Sequence, residues 1–177
     1  DVTFYDLSIE LNIKEKSIAG KCKINAIALN DFDTLQVDLF ENMKIISIEK
    51  KGKDLSFYRQ HNAVFVIIPE MMKDTLFEIT FQYTGVPVEA KNPPWDGGFV
   101  WDKDKNETPF IGVACEGTGA SLWWPNKDHP SDEPDSVRLH ITVPDTLVAI
   151  GNGQLESIEK TDSTSTYTWL VKNPINN

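Results

Sequence analysis

The carboxylate of Glu116 is the side chain whose surroundings most favour a ligand-binding role. It lies where a short apolar run, Ile111–Cys115, is expected to end as a strand, and Gly117 and Gly119 follow it. Glycine has no side chain, so a ligand or another chain segment can approach the backbone closely here. A Glu at a strand end is usually only solvated, so the pattern alone leaves both interpretations open.

The histidines and the acidic run do not form a recognisable metal site. No pair of histidines has the H-x-x-x-H spacing that places two imidazoles on one helix face. We expect His61 in a turn and His140 on the exposed side of a strand. The acidic run from Asp128 to Asp135 could gather around calcium, but it contains two prolines and lacks the D-x-D-x-D-G loop. A solvated or salt-bridged turn is the favoured interpretation, so we predict no metal site.

Nucleophilic catalysis has no support in the sequence either. There is no G-x-S-x-G elbow, and Cys115 has no histidine close to it in sequence. Cys22 lies in an alternating apolar run, where a free buried thiol is the usual state. A Cys22–Cys115 disulfide stays open, although the spacing does not require one. We therefore predict no catalytic residue in this chain.

Three tryptophans have two competing interpretations. Trp95, Trp123 and Trp124 could form a platform on which sugar rings stack, as in a carbohydrate-binding module. Alternatively they pack beneath a long loop as a satellite of the core, because tryptophan is highly buried on average. The packing interpretation is favoured.

Composition excludes several classes of partner. The net charge is −10 and the pI is about 4.7, whereas binding to nucleic acid requires clustered Lys and Arg. An anionic membrane surface would be repelled for the same reason, and no apolar stretch approaches the roughly 20 residues of a membrane span. The compartment stays open, with a periplasmic or secreted location preferred.

Alternating apolar and polar residues predict an all-β fold. The clearest strands are expected around Tyr5–Ile13, Ile18–Ala26 and Phe77–Tyr83, and no window keeps a helical period beyond two turns. Further strands are expected at the following segments: Leu35–Leu39, Met43–Glu49, Leu55–Tyr58, Ala63–Ile68 (ended by Pro69), Val137–Val143, Leu147–Ile150, and the hairpin Leu155–Lys160 with Thr166–Val171. Regular short strands with turn signals indicate a twisted, multi-sheet sandwich of mostly antiparallel strands in one domain, residues 1–177.

Between Tyr83 and Ser136 the alternation mostly lapses. Loops of this length are uncommon in compact domains and are usually functional when they are ordered. We therefore expect the function to be concentrated between Pro93 and Pro134.

The order of motifs in this region resembles one family. Glu116 is followed by Trp123-Trp124-Pro125 and then by Asp132-Glu133-Pro134. This order is similar to that in the aminopeptidase N-like zinc metallopeptidases, whose N-terminal β domain carries a Gln or Glu, then a Pro, then an Asp-x-Pro turn. Between Pro125 and Asp132 the chain is longer than is common in that family, so substrate preference is not carried over. The resemblance covers essentially the whole chain.

The resemblance implies a non-catalytic substrate-recognition domain with a saddle-like shape, lacking its last strand. Glu116 would bind the free α-amino group of a peptide, with Cys115, Gly117, Thr118 and Gly119 lining the same pocket. The family's zinc-binding H-E-x-x-H motif belongs to a following catalytic domain, and this sequence does not contain it. The resemblance therefore implies that the chain itself binds no zinc and hydrolyses nothing. The parent enzyme would use zinc. The alternative is a free-standing carbohydrate- or protein-binding β-sandwich module.

Overall fold

The computed structural model describes residues 1–174, which form β-strands and one short 3-10 helix. The strands are β1 (Val2–Asn12), β2 (Ser17–Ile27), β3 (Phe32–Asp38), β4 (Met43–Lys50), β5 (Lys53–Asp54), β6 (Phe57–Gln60), β7 (Ala63–Met71), β8 (Leu76–Gly85), β9 (Gly98–Lys103), β10 (Pro109–Ala114), β11 (Ser136–Pro144), β12 (Gln154–Lys160) and β13 (Thr164–Lys172). The 3-10 helix spans Ala120–Leu122. The predicted all-β class is confirmed.

The strands form three sheets. The largest has the order β12-β13-β11-β1-β2-β8-β4-β5, a second has the order β3-β7-β6, and β9 and β10 form a separate hairpin. Pairing is antiparallel except between β1 and β11, which run parallel. Within residues 1–174 the sheets are mostly antiparallel, as the sequence predicted, and none of them closes on itself.

The main core lies beneath the large sheet. Alternate residues of β1, such as Tyr5, Leu7 and Ile9, point into it because successive side chains of a strand face opposite sides. The apolar residues of β2, β7 and β8 join them in one cluster, which also includes Phe99 from β9 and Trp124 from the long loop. The hairpin and the loop are therefore packed onto the same core as the large sheet.

Several segments differ from the sequence prediction. β9 was not expected, and the strand expected over Leu55–Tyr58 is replaced by β5 and β6, with Leu55 and Ser56 in neither strand. β7 continues through Pro69 to Met71, because Pro69 lies where the register with β3 shifts between the Thr34–Ile67 and Phe32–Met71 pairs. Proline is tolerated in a strand at such an irregularity, where its missing N–H breaks no regular hydrogen bond.

The segment Leu147–Ile150 is not a strand. The Tyr167 hydroxyl donates to the Leu147 carbonyl at 3.3 Å, and the Trp169 indole donates to the Ala149 carbonyl at 3.2 Å. The carbonyls of Leu147 and Ala149 thus accept from side chains of β13, whereas in a strand they would accept from the backbone N–H groups of a neighbouring strand. The hairpin of β12 and β13 is present as predicted.

His140 is half-buried rather than fully solvated. Its Nδ1 lies 2.9 Å from Thr168 Oγ1 and its Nε2 lies 3.1 Å from Asp6 Oδ1. His61 is exposed in the turn between β6 and β7, as predicted. Within residues 1–174, no helix is long and apolar enough to cross a membrane.

Candidate functional site

Glu116 lies in a tight turn directly after β10. The Cys115 carbonyl accepts hydrogen bonds from the backbone N–H groups of Thr118, at 3.2 Å, and Gly119, at 2.9 Å. Gly117 and Gly119 have φ values of 75° and 87°, which favour glycine because a side chain clashes with the backbone there. The turn brings together all five residues that the sequence selected, from Cys115 to Gly119.

The turn presents Glu116 to solvent. Glu116, Gly117 and Thr118 are exposed, whereas Cys115 and Gly119 are partly covered and Ala120 is buried at the start of the 3-10 helix. A carboxylate in this position is open to water and to a ligand. The arrangement can therefore present one negative charge to a ligand.

Asp128 holds the far side of the turn. A methyl group on Gly119 would overlap the Asp128 carboxylate, whose Oδ1 would be only 2.9 Å from the added carbon. The Ser121 hydroxyl donates to Asp128 Oδ2 at 2.6 Å, and the Asp128 N–H donates to Asp38 Oδ2 at 3.3 Å. Sequence reasoning missed this role, because Asp128 was counted only as one charge in an acidic run.

The loop before β9 packs against the other side of the turn. A methyl group on Gly97 would lie 2.5 Å from Thr118 Cβ, so the Gly97 backbone packs directly against the Thr118 side chain. Phe99, which the sequence analysis did not place in a strand, donates its N–H to Val88 at 2.7 Å and anchors the end of that loop. Such contacts between segments far apart in sequence leave no periodic signal.

Cys115 is a poorly reactive thiol at the base of the turn. Its burial raises the pKa of the thiol, and the negative charge of Asp128 raises that pKa further. Cys115 and Cys22 are both free cysteines, so the disulfide that the sequence left open is not formed. Cys22 is buried, as predicted, and its Sγ lies 3.4 Å from the Pro125 carbonyl oxygen.

The tryptophans divide into a packed pair and an exposed residue. Trp124 is buried with its ring edge-on to Tyr5, at a centroid distance of 4.8 Å, and Trp123 packs edge-on against Phe99 at 5.9 Å. Trp123 and Trp124 are therefore packed, as the favoured interpretation expects, but they join the main core rather than a separate satellite. Trp95, in contrast, is 74% exposed.

Asp132, in the Asp-Glu-Pro turn, is buried and forms an ion pair with Lys127. Both of its carboxylate oxygens accept from the Val2 N–H, at 3.2 and 3.3 Å. The salt-bridged interpretation of the acidic run is thus correct for this residue. The contact fixes the end of the loop region to the start of β1.

A zinc ion would need several His, Cys, Asp or Glu side chains close together. Residues 1–174 contain no group of three or more such side chains that could hold a metal. The donors of this part of the chain therefore do not fit a zinc site, and no step through zinc is assigned to it.

Solved structures of one enzyme family share this fold. The M1 zinc metallopeptidase from Deinococcus radiodurans superposes with a TM-score of 0.81 and 21% identity, covering 96% of this chain and 38% of that one. A mutant of that organism's enzyme bound to a Tyr-Ser-Ala substrate gives a TM-score of 0.80 at 22% identity, with the same coverage. A two-domain M1 zinc metallopeptidase mutant bound to L-arginine also gives 0.80, at 20% identity and again with 96% and 38% coverage.

These identities show the fold alone, and the chain spans 38% of the length of these neighbours. A search of curated protein sequences gave no significant match. The model of the peptidase M1 N-terminal domain, however, matches residues 2–176. The match covers nearly the whole chain and confirms the resemblance seen in its motifs, and this chain therefore belongs to the peptidase M1 N-terminal domain family.

Proposed function

We propose that this chain is the substrate-recognition domain of a zinc aminopeptidase, in which Glu116 binds the free α-amino group of a peptide. The observation that carries the proposal is the exposed Glu116 carboxylate on a turn fixed by two backbone hydrogen bonds and by contacts on both sides. Because the backbone of the turn is fixed, only the rotamers of the Glu116 side chain have to be ordered when a cation binds.

The charge chemistry favours an N-terminal amine over an internal peptide segment. The α-amino group has a pKa of roughly 7.7–8.0, so it is largely cationic at neutral pH. A carboxylate and an ammonium form a charge-assisted hydrogen bond, whereas an internal peptide offers only a neutral amide. Pairing at Glu116 would therefore limit how far a substrate enters, which is the property of an exopeptidase.

Two of the structural neighbours are described as bound to ligands that carry an α-amino group, a Tyr-Ser-Ala substrate and L-arginine. These ligands support a peptide N-terminus as the partner of this family's enzymes. The neighbours are zinc metallopeptidases, and residues 1–174 offer no group of side chains that could hold zinc. The zinc of the parent enzyme would therefore be bound by another part of the protein, and that part would also break the peptide bond. Cys115, Gly117, Thr118 and Gly119 would line the pocket around the bound amine.

The alternative of a free-standing carbohydrate-binding module has less support. A sugar platform needs several aromatic faces exposed together, and Trp123 and Trp124 pack into the protein instead.

The test is Glu116→Ala in the full-length protein, which removes the carboxylate and every hydrogen bond it could make to the amine. We expect kcat/KM on substrates with a free amino terminus to fall roughly 30- to 900-fold, because losing one member of a desolvated charge pair raises the activation free energy by about 2–4 kcal/mol. Glu159→Ala, which removes an exposed carboxylate on the edge strand β12, is the matched control and should leave the kinetics unchanged. Unchanged kinetics in Glu116→Ala would refute the role.

A further inference from the structure

The turn before β12 contains an asparagine that is followed directly by a glycine. Asn152 and Gly153 are both exposed, and neither belongs to a strand. The sequence contains no other Asn-Gly pair. Because glycine has no side chain, the peptide nitrogen of Gly153 is not crowded and can approach the side-chain amide of Asn152.

The two groups that would react have no hydrogen-bond partner. Within residues 1–174, neither the Asn152 side chain nor the Gly153 N–H forms a hydrogen bond. The asparagine in the turn between β1 and β2 differs, because Asn12 Oδ1 accepts from the Glu15 N–H at 3.1 Å. No existing contact therefore has to break before the Gly153 nitrogen meets the Asn152 side chain.

Asn106, in the turn between β9 and β10, provides a comparison within the same molecule. It is exposed like Asn152, but the residue after it is Glu107. The Glu107 N–H donates to the Asp104 carbonyl at 3.0 Å. The peptide nitrogen after Asn106 is therefore crowded by a side chain and also held in a hydrogen bond.

Packing against β13 requires a glycine at position 153. Gly153 has a φ of 87°, which glycine adopts without strain. A methyl group there would lie 2.6 Å from the carbonyl carbon of Leu170, which is too close for a real contact. The fold thus needs the same residue that leaves Asn152 open to attack.

We propose that Asn152 is a site of spontaneous deamidation, which converts it to a mixture of isoaspartate and aspartate. Hydroxide removes the proton of the Gly153 N–H, and the nitrogen attacks Asn152 Cγ. The new N–Cγ bond closes a succinimide ring, the Cγ–Nδ2 bond breaks, and the leaving nitrogen takes a proton from water and departs as ammonia.

Water then opens the ring at one of its two carbonyl carbons. Opening at Cγ gives aspartate, whereas opening at the main-chain carbonyl carbon of Asn152 gives isoaspartate, in which the backbone runs through the side chain. Both products add a negative charge, and isoaspartate also lengthens the turn by one backbone atom. That atom enters next to Gly151, whose added methyl group would lie 3.0 Å from Trp169 Cγ.

The test is ageing of the full-length protein at pH 8, followed by tryptic peptide mapping with mass spectrometry. The peptide from Leu139 to Lys160 holds Asn152 as its single asparagine, and deamidation raises its mass by one unit. Isoaspartate in this peptide is detected by methylation with a protein isoaspartyl methyltransferase. Asn152→Ser should abolish both signals.

We expect Asn152 to deamidate about tenfold faster than Asn106 in the unaltered protein, because a small difference in crowding at the transition state is enough for that ratio. Equal rates at the two asparagines would overturn the inference. A rate at Asn152 that does not rise between pH 6 and pH 8 would also overturn it, because the attack requires loss of the amide proton.

Glu107→Gly separates the hydrogen bond from the crowding. It makes a second Asn-Gly pair at a position whose φ of 66° suits glycine, while the backbone hydrogen bond to Asp104 is kept. We expect Asn106 in this variant to react about two- to tenfold more slowly than Asn152, the ratio that one hydrogen bond gives. A rate at Asn106 equal to that at Asn152 would show that the unpaired Gly153 N–H does not select the site.

Discussion

Gly119→Ala should destabilise the chain through two separate effects at the Glu116 turn. Gly119 has a φ of 87° and a ψ of 160°, a backbone conformation that is essentially restricted to glycine, so an L-residue there costs about 1–3 kcal/mol. The new methyl group would also overlap the Asp128 carboxylate and push it away from Ser121. Loss of that charge-assisted hydrogen bond adds about 1.5 kcal/mol, the low end of the usual range because Asp128 is exposed. The expected total is about 2.5–4.5 kcal/mol.

Gly117→Ala is the matched control within the same turn. Gly117 has a φ of 75° and no atom within 4 Å of where a methyl group would lie, so only the backbone term of about 1–2 kcal/mol should remain. Urea denaturation of the 177-residue chain, followed by tryptophan fluorescence, measures both free energies of unfolding.

The overlap is tested by a double-mutant cycle. In an Asp128→Ala background the carboxylate is gone, so Gly119→Ala should cost only the backbone strain, about 1–3 kcal/mol. Equal destabilisation by Gly117→Ala and Gly119→Ala in the natural background would show that Asp128 does not hold the turn. The same conclusion would follow if Asp128→Ala failed to reduce the cost of Gly119→Ala.

Two further predictions concern the contacts around this region. Asp132→Asn should lower the free energy of unfolding by about 2–3 kcal/mol in urea denaturation, because Lys127 loses its ion-pair partner; a loss below about 0.5 kcal/mol would contradict it. Asp128→Asn should speed alkylation of Cys115 by iodoacetamide at pH 8, because the carboxylate raises the pKa of this thiol and its removal favours the reactive thiolate; an unchanged rate would count against the contact.

The sequence allowed prediction of elements whose pattern is local. β1, β2 and β8 each have one face on the core, so their alternation is strict and their positions were predicted to within a few residues. β9 was missed because Phe99, Val100 and Trp101 form an apolar run with no alternation. The parallel pairing of β1 with β11 was also not predictable, because it depends on residues distant in sequence.

The candidate site was predictable in part for the same reason. Glu116 and the glycines beside it are adjacent in sequence, so a strand end followed by glycines was enough to select the turn. Asp128 and Gly97 contribute through contacts across the fold, to Gly119 and Thr118 respectively. Contacts between residues far apart in sequence produce no repeating pattern of apolar and polar residues. Only the structure could therefore show which residues hold the turn in place.

The central position of β1 has a consequence for folding. β1 is the first strand of the chain, yet it lies between β2 and β11, and its pairing joins Phe4 to Ser136. During synthesis β2 can cover one edge of β1 early, but the other edge must wait until β11 emerges. Pairings between residues so distant are slow to form and leave an open strand edge meanwhile. The nascent chain therefore exposes an edge on which another copy could add a strand, and folding yield should fall as chain concentration rises.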